Sequence, residues 1–271
     1  MMQITPVVKQ LLIINILFFI GTMAVPQAFD LLSFSFPESD DFRYWQFITS
    51  LFMHSNWTHL LFNMIALFSF GTTLESIWGP KKFLFFYFSC GLGASLLHLG
   101  MVYHEYYQML DKLSDLDLSS DTLHKVLNVN FGDGYFYRGD LFESAVRPVL
   151  EDAGKWKYVT EDSFKVLFDA AVKVNAKLLG ASGAICGLLM AFGFMLPNAE
   201  LSLLFFPIPI KAKYFVSGIL AIDLFLGFRG QSFFGGNETG VAHFAHYGGA
   251  VIGFIMMWYW NKNSFNNRRW N

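Results

Sequence analysis

The chain has 271 residues, of which 54% are apolar and 18% aromatic, with 32 Phe and a net charge of −2. Only 15% are charged, too few to clothe a water-exposed surface, for which about 25% is usual. The near-neutral balance leaves no basic footprint for nucleic acid, and Cys90 and Cys186, both in apolar runs, argue against a disulfide framework or metal-type Cys spacing.

What charge there is gathers in one place. Thirteen of the 21 acids and nine of the 19 bases lie between Tyr103 and Lys177, so the rest of the chain is nearly charge-free. That pattern predicts an integral membrane protein with the lipid bilayer as its solvent. A helix crossing the hydrocarbon core takes roughly 20 mainly apolar residues. Six stretches qualify: Val8–Ala28, Trp57–Ile77, Phe83–Tyr103, Leu178–Leu196, Lys213–Phe228 and Gly240–Trp260. The fifth is the shortest and carries Asp223. The first is expected to be retained, because Val25-Pro26-Gln27-Ala28-Phe29 is a poor small-residue cleavage site.

Between the first two spans, residues 29–56 are too polar to cross. Tyr44, Trp45, Ile48, Leu51 and Phe52 would share one face of a helix lying in the interface. Residues 104–177 read as a small helical insert. Phe164, Leu167, Phe168, Ala171 and Val174 recur at helical spacing, with Thr160 placed to cap that helix. Gly132-Asp133-Gly134 and Arg138-Gly139-Asp140 mark breaks. The expected organisation is thus all-α: residues 1–103 with three spans, the insert 104–177, and residues 178–271 with three more. Lys9, Lys81, Lys82, Lys211, Lys213, Lys262, Arg268 and Arg269 fall on one side, Arg43 and Arg229 on the other. By the positive-inside rule both termini are cytoplasmic and the insert external; a bacterial cytoplasmic membrane is the expected location.

Polar groups inside spans are costly and need a reason. The second span carries His59 and Asn63, four residues apart and so on one face. The fourth opens with Gly180-Ala181-Ser182-Gly183-Ala184, and the sixth carries His243 and His246 followed by Gly249-x-x-x-Gly253. A serine hydroxyl becomes a nucleophile when a base within hydrogen-bond reach takes its proton. Ser182 and His246 lie at similar depth near the outer ends of their spans, and Gly249 and Gly253 allow those two helices to approach closely. His59, Asn63 and the Ser182 N–H are suitable oxyanion donors. His243 and His246, at i and i+3, have no evident acid or Cys partner for a metal. Glu75 and Asp223 read as structural partners for backbone or polar side chains.

Taken together, these residues resemble the rhomboid family of intramembrane serine proteases. His54-x-x-x-x-His59-x-x-x-Asn63, followed by Gly71 and Glu75, resembles one family signature; Gly180-Ala181-Ser182-Gly183 and Ala245-His246-x-x-Gly249-x-x-x-Gly253 resemble two others. The resemblance implies six helices around a water-accessible cavity open to the external face. Ser182 would be the nucleophile and His246 its base, a dyad without an acidic third member. His59 and Asn63 would line the oxyanion hole, while His54 would help fix the loop after the first span; Glu75, Gly180, Gly249 and Gly253 would be structural supports. Transmembrane protein substrates and no metal or organic cofactor are implied. Three features depart from the family pattern: Gln46 after Trp45 where Arg is usual, Cys186 where an aromatic commonly packs on the catalytic His, and the long insert. The alternative functions are a catalytically silent rhomboid-like binder of membrane proteins and, in view of Asp223 and the buried histidines, a transporter.

Overall fold

In a computed structural model of the chain, the described residues are 3–132, 136–203, 206–228 and 242–264. Among the described residues twelve α-helices follow in order. They are α1 (Pro6–Ala24), α2 (Gln27–Leu32), α3 (Gln46–Thr49), α4 (Trp57–Ala66), α5 (Thr72–Trp78), α6 (Pro80–Lys112), α7 (Ser120–Leu127), α8 (Gly139–Asp152), α9 (Glu161–Asn175), α10 (Ser182–Met195), α11 (Ala212–Phe228) and α12 (Ala242–Ser264). Two short antiparallel pairs accompany them: β1 (Phe34–Ser35) with β2 (Lys177–Leu178), and β3 (Glu200–Leu203) with β4 (Phe206–Lys211). The chain divides into two compact units. One holds Met1–Phe29, Phe47–His98 and Leu179–Asn271, and the other holds Asp30–Gln46 and Leu99–Leu178.

Helix ends differ from the sequence expectation for local reasons. The first span stops at Ala24 because Pro26 disfavours helical backbone at Val25, which sits at φ −129° and ψ 85°. A wide turn at Leu67–Gly71 joins α4 to α5, so helix runs from Trp57 to Trp78. The third helix continues to Lys112, well past Tyr103. The fourth starts only at Ser182, since Lys177–Leu178 is strand and Gly180 has φ +117°. Among the described residues, Pro6–Ala24, Trp57–Trp78 and Pro80–Lys112 are long and apolar enough to cross a membrane, and Ser182–Met195 is a shorter apolar helix. Gly240 and Val241 of the expected sixth span lie outside the described residues.

The core of the first unit gathers Val8, Leu11, Leu67, Leu74, Phe83, Phe86, Ala184 and Leu188. Glu75, only 3% exposed, accepts from the backbone N–H of Val7 at 3.0 Å and Val8 at 2.9 Å and from the Thr5 hydroxyl. Those amides belong to the first turn of α1, which has no partners within its own helix, so a buried carboxylate ties α1 to α5. At one end of the unit the Lys82 ammonium lies 4.1 Å over the Trp260 ring, itself 5.6 Å from that of Trp78. This brings together the end of α5, the start of α6 and the end of α12.

The second unit has its own apolar centre, with Phe131, Phe142, Val146, Leu150, Leu167, Ala171 and Val174 at most 1% exposed. The Thr160 hydroxyl caps α9 by accepting from the Ser163 N–H, and the Ser163 hydroxyl accepts in turn from the Thr160 N–H. Arg138-Gly139-Asp140 marks the start of α8; of the other expected break, Asp133 and Gly134 lie outside the described residues.

Two expectations about residues 29–56 change. The segment divides between the units at Gln46 and Phe47. Its apolar residues also fail to form one face: α3 lasts a single turn and tightens to a 3₁₀ turn at Ser50–Phe52, so Leu51 and Phe52 are buried while Tyr44, Trp45 and Ile48 stay exposed. Gln46, fully buried, is a hub. Its Oε1 accepts from the N–H of Ser35 and Arg43, both at 3.1 Å, and its Nε2 donates to the Asp41 carbonyl at 2.8 Å. A neutral amide, donor and acceptor at once, thereby stitches the segment that an Arg could only have approached as a donor.

Candidate active site

Ser182 is the first residue of α10, and the backbone before it is set by glycine. Gly180 adopts φ +117°, which a side chain resists, and donates its N–H to the Ser50 carbonyl at 2.9 Å. A Cβ there would come 2.9 Å from His59 Cε1 and 3.5 Å from Ser182 Oγ. The missing side chain lets the imidazole and the hydroxyl share one space. No side chain caps α10 at Ala181, and the first-turn N–H groups beside Ser182 are a positive helix end.

His246 reaches that space from α12. Its Nε2 lies 2.8 Å from Ser182 Oγ. The approach depends on small residues in both helices: a Cβ on Gly249 would fall 1.8 Å from the Gly183 carbonyl oxygen, and one on Gly253 would fall 2.9 Å from Gly187 Cα. The Gly249-x-x-x-Gly253 pattern is thus met by Gly183-x-x-x-Gly187 on α10. Gly187 was not singled out in the sequence, although its four-residue spacing from Gly183 was the available signal.

His59 and Asn63, the donors expected from the sequence, lie on α4. The Asn56 side chain caps α4 by accepting from the His59 N–H at 2.9 Å, which fixes His59 and Asn63 one turn apart. Asn63 is 7% exposed, and its Nδ2 is buried with no hydrogen-bond partner among the described residues. His59 Nδ1 lies 3.2 Å from Ser55 Oγ. His54 packs edge-on against His59 with ring centroids 5.0 Å apart, and its Nδ1 lies 3.3 Å from the Phe52 carbonyl. Burial, with His59 beside it, pulls the His54 imidazole down to about 3.

The structure adds a residue that the sequence had set aside. Asp223 on α11 lies 3.1 Å from His246 Nδ1 through Oδ2, and 2.7 Å from His243 Nδ1 through Oδ1. The expectation that the two histidines have no acidic neighbour is therefore corrected: the donor atoms of Asp223, His243 and His246 lie within 4.8 Å of one another. Twenty-three residues separate Asp223 from His246, and the contact is made by helix packing that periodicity does not encode. Cys90 and Cys186 are buried free thiols.

A serine and a histidine thus stand in hydrogen-bond contact between two glycine-packed helices. The chain belongs to the rhomboid family: the family model described as the Rhomboid domain matches residues 41–110 and 157–263, more than half of the chain. Residues 111–156 lie outside both matched stretches. The chain is similar to Rhomboid protease AarA of Providencia stuartii, 38% identical over 29% of this chain and 26% of that protein. It is also similar to Rhomboid protein 1, mitochondrial, of Saccharomyces cerevisiae, 24% identical over 79% of this chain and 41% of the relative. RHOMBOID-like protein 12, mitochondrial, of Arabidopsis thaliana is 26% identical over 77% of this chain and 44% of the relative. The chain thus spans less than half the length of these relatives. Family and apolar helices together make it an integral membrane protein.

Proposed function

We propose that the protein is an intramembrane serine endopeptidase that cuts peptide bonds in or near transmembrane segments of other membrane proteins. The observation that carries this reading is the 2.8 Å contact between His246 Nε2 and Ser182 Oγ. In the reaction, Ser182 Oγ bonds to the scissile carbonyl carbon as its proton passes to His246 Nε2. The Ser182 N–H, His59 and Asn63 receive the oxyanion. The C–N bond then breaks, Nε2 returns the proton to the leaving amine, and an acyl ester remains on Ser182. Water, giving its proton to the same nitrogen, attacks the acyl carbon; the C–Oγ bond breaks, the acid leaves, and Nε2 returns the proton to Ser182 Oγ.

Six spans with both termini cytoplasmic and residues 104–177 external, in a bacterial cytoplasmic membrane, complete the proposal. The basic residues support that orientation, as does the meeting of Lys82 and Trp260 at one end. His246 lies fourteen residues before Trp260, about 21 Å along α12 at 1.5 Å per residue, which sets the site toward the opposite face.

The test is covalent labelling of the purified protein by a fluorophosphonate. Wild type should be labelled on Ser182 and Ser182→Ala should not; an unlabelled wild type would favour a silent membrane-protein binder. Asn63 gives a second expected result. Its buried amide offers N–H groups that no described residue uses, so Asn63→Ala should lower kcat for a transmembrane substrate by about 10–10³ with KM little changed. A raised KM with normal kcat would make Asn63 a substrate contact instead.

A further inference from the structure

Asp223 is 8% exposed on α11, and it shares a helix face with Leu220 and Gly227. Both of those residues meet α12. The Tyr247 hydroxyl donates to the Leu220 carbonyl, and a Cβ on Gly227 would lie 2.8 Å from His243 Cβ. The packing sets the carboxylate against two imidazoles: His246 Nδ1 lies 3.2 Å from Oδ1 and 3.1 Å from Oδ2, and His243 Nδ1 lies 2.7 Å from Oδ1. An ionised carboxylate only accepts, so each Nδ1 must carry a hydrogen. In neutral His246 that leaves the Nε2 lone pair facing Ser182 Oγ.

We infer that Asp223 is a positioning residue that holds His246 in the tautomer and orientation needed to take the Ser182 proton, with His243 bracing its carboxylate. The inference rests on the serine-protease reading above and replaces a two-residue mechanism with the chain Ser182–His246–Asp223. As Oγ bonds to the substrate carbon, its proton moves to Nε2 and the ring becomes an imidazolium. Its Nδ1–H remains on the ring, and the carboxylate stabilises the new charge without taking a proton. Some such device is required here. One turn beyond Ser182 stands Cys186, which has no ring face to press on the imidazole, and among the described residues the His243 ring lies near that of His246, with centroids 6.0 Å apart. Charge buried at this depth also needs partners, and the two N–H groups supply them.

The same three residues resemble a cation site, but the two uses exclude each other. A metal on His246 Nδ1 would take that lone pair and put the ring hydrogen on Nε2, where it would point at Ser182 Oγ and abolish the base.

The experiment uses the full-length protein in detergent, with a transmembrane peptide substrate and the fluorophosphonate. Asp223→Asn keeps the shape, but an amide N–H facing Nδ1 favours the wrong tautomer. It should lower kcat about 10²–10⁴-fold, as such a change does in serine proteases of other folds, with KM within about threefold and Ser182 labelling slowed in parallel. Asp223→Glu should recover part of the rate. Nitrogen NMR of histidine-labelled wild type should show His246 as the Nδ1–H tautomer, a readout that needs no variant to fold. An Nε2–H tautomer, or wild-type kcat per folded molecule in Asp223→Asn, would overturn the inference, as would activity lost to a chelator and restored by a divalent metal. Failure of the parent reading looks different: Ser182→Ala would cleave, whatever Asp223 does.

Discussion

Ser182→Ala and His246→Ala should each abolish cleavage of a transmembrane substrate in proteoliposomes, by about 10⁴–10⁶ in kcat, and the double variant should be scarcely worse than either one. The reason is that the hydroxyl and the Nε2 at 2.8 Å perform one step together: without a base the serine keeps its proton, and without the serine the base has nothing to activate. Apart from that one hydrogen bond, the close approach of α10 to α12 is made at Gly183, Gly187, Gly249 and Gly253. Both variants should therefore fold and keep the wild-type melting temperature within a few degrees. Multiplicative losses in the double variant would mean that the two residues act in separate steps. Full activity in Ser182→Ala would remove the serine from the chemistry.

The legible parts of this molecule were those fixed by local spacing. The four-residue spacing of His59 and Asn63 is one helical turn whatever surrounds them, and Thr160 ahead of an apolar face at Phe164, Leu167 and Ala171 is a capped helix in any context. Glycines four apart announce a close contact, and Gly249 and Gly253 make one. What the sequence could not specify depends on which elements meet. Asp223 becomes a partner of His246 only because α11 packs on α12 through Gly227 and Tyr247. Gln46 looked like the loss of an Arg, yet its worth lies in five main-chain groups brought around it by the turns at residues 30–46. The start of α10 at Ser182, four residues later than hydropathy suggests, follows from the positive φ of Gly180, and a hydropathy window carries no information on φ.

The insert illustrates the same limit from another side. Of its helices only α9 is read from apolar spacing, and residues 30–46, remote in sequence, belong to the same compact unit. Lys177 reaches Asp41 at 2.6 Å and Ser35 at 3.0 Å, and β1 pairs with β2 across more than 140 positions. Because the Rhomboid domain match omits residues 111–156 while covering 157–263, α9 falls within the matched region and neither α7 nor α8 does. A shortened chain that keeps α9 would strip the apolar partners from Leu167, Ala171 and Val174, all fully buried, so deletions in this unit must remove α7, α8 and α9 together.

The second large effect expected is at Gly249. A methyl group there would overlap the Gly183 carbonyl oxygen at 1.8 Å, far inside van der Waals contact, and backbone cannot rotate away as a flexible side chain can. Gly249→Ala must therefore push α12 off α10 by an ångström or more, at the level of Ser182 and one turn from His246. Overpacking of this kind costs about 1–3 kcal/mol or more, and a displacement of about 1 Å between reacting groups is enough to lose on the order of 10² in rate. Gly249→Ala should accordingly lower both the melting temperature in detergent and the turnover of the molecules that remain folded. Gly218→Ala, on α11, supplies the control. It is the same chemical change inside a helix, with nothing within 4 Å of the added carbon, and it should be neutral or stabilise by about 0.5–1 kcal/mol through the lower entropy of the unfolded chain. Wild-type melting and turnover in Gly249→Ala would mean that α10 and α12 do not approach as closely as the Ser182–His246 contact requires.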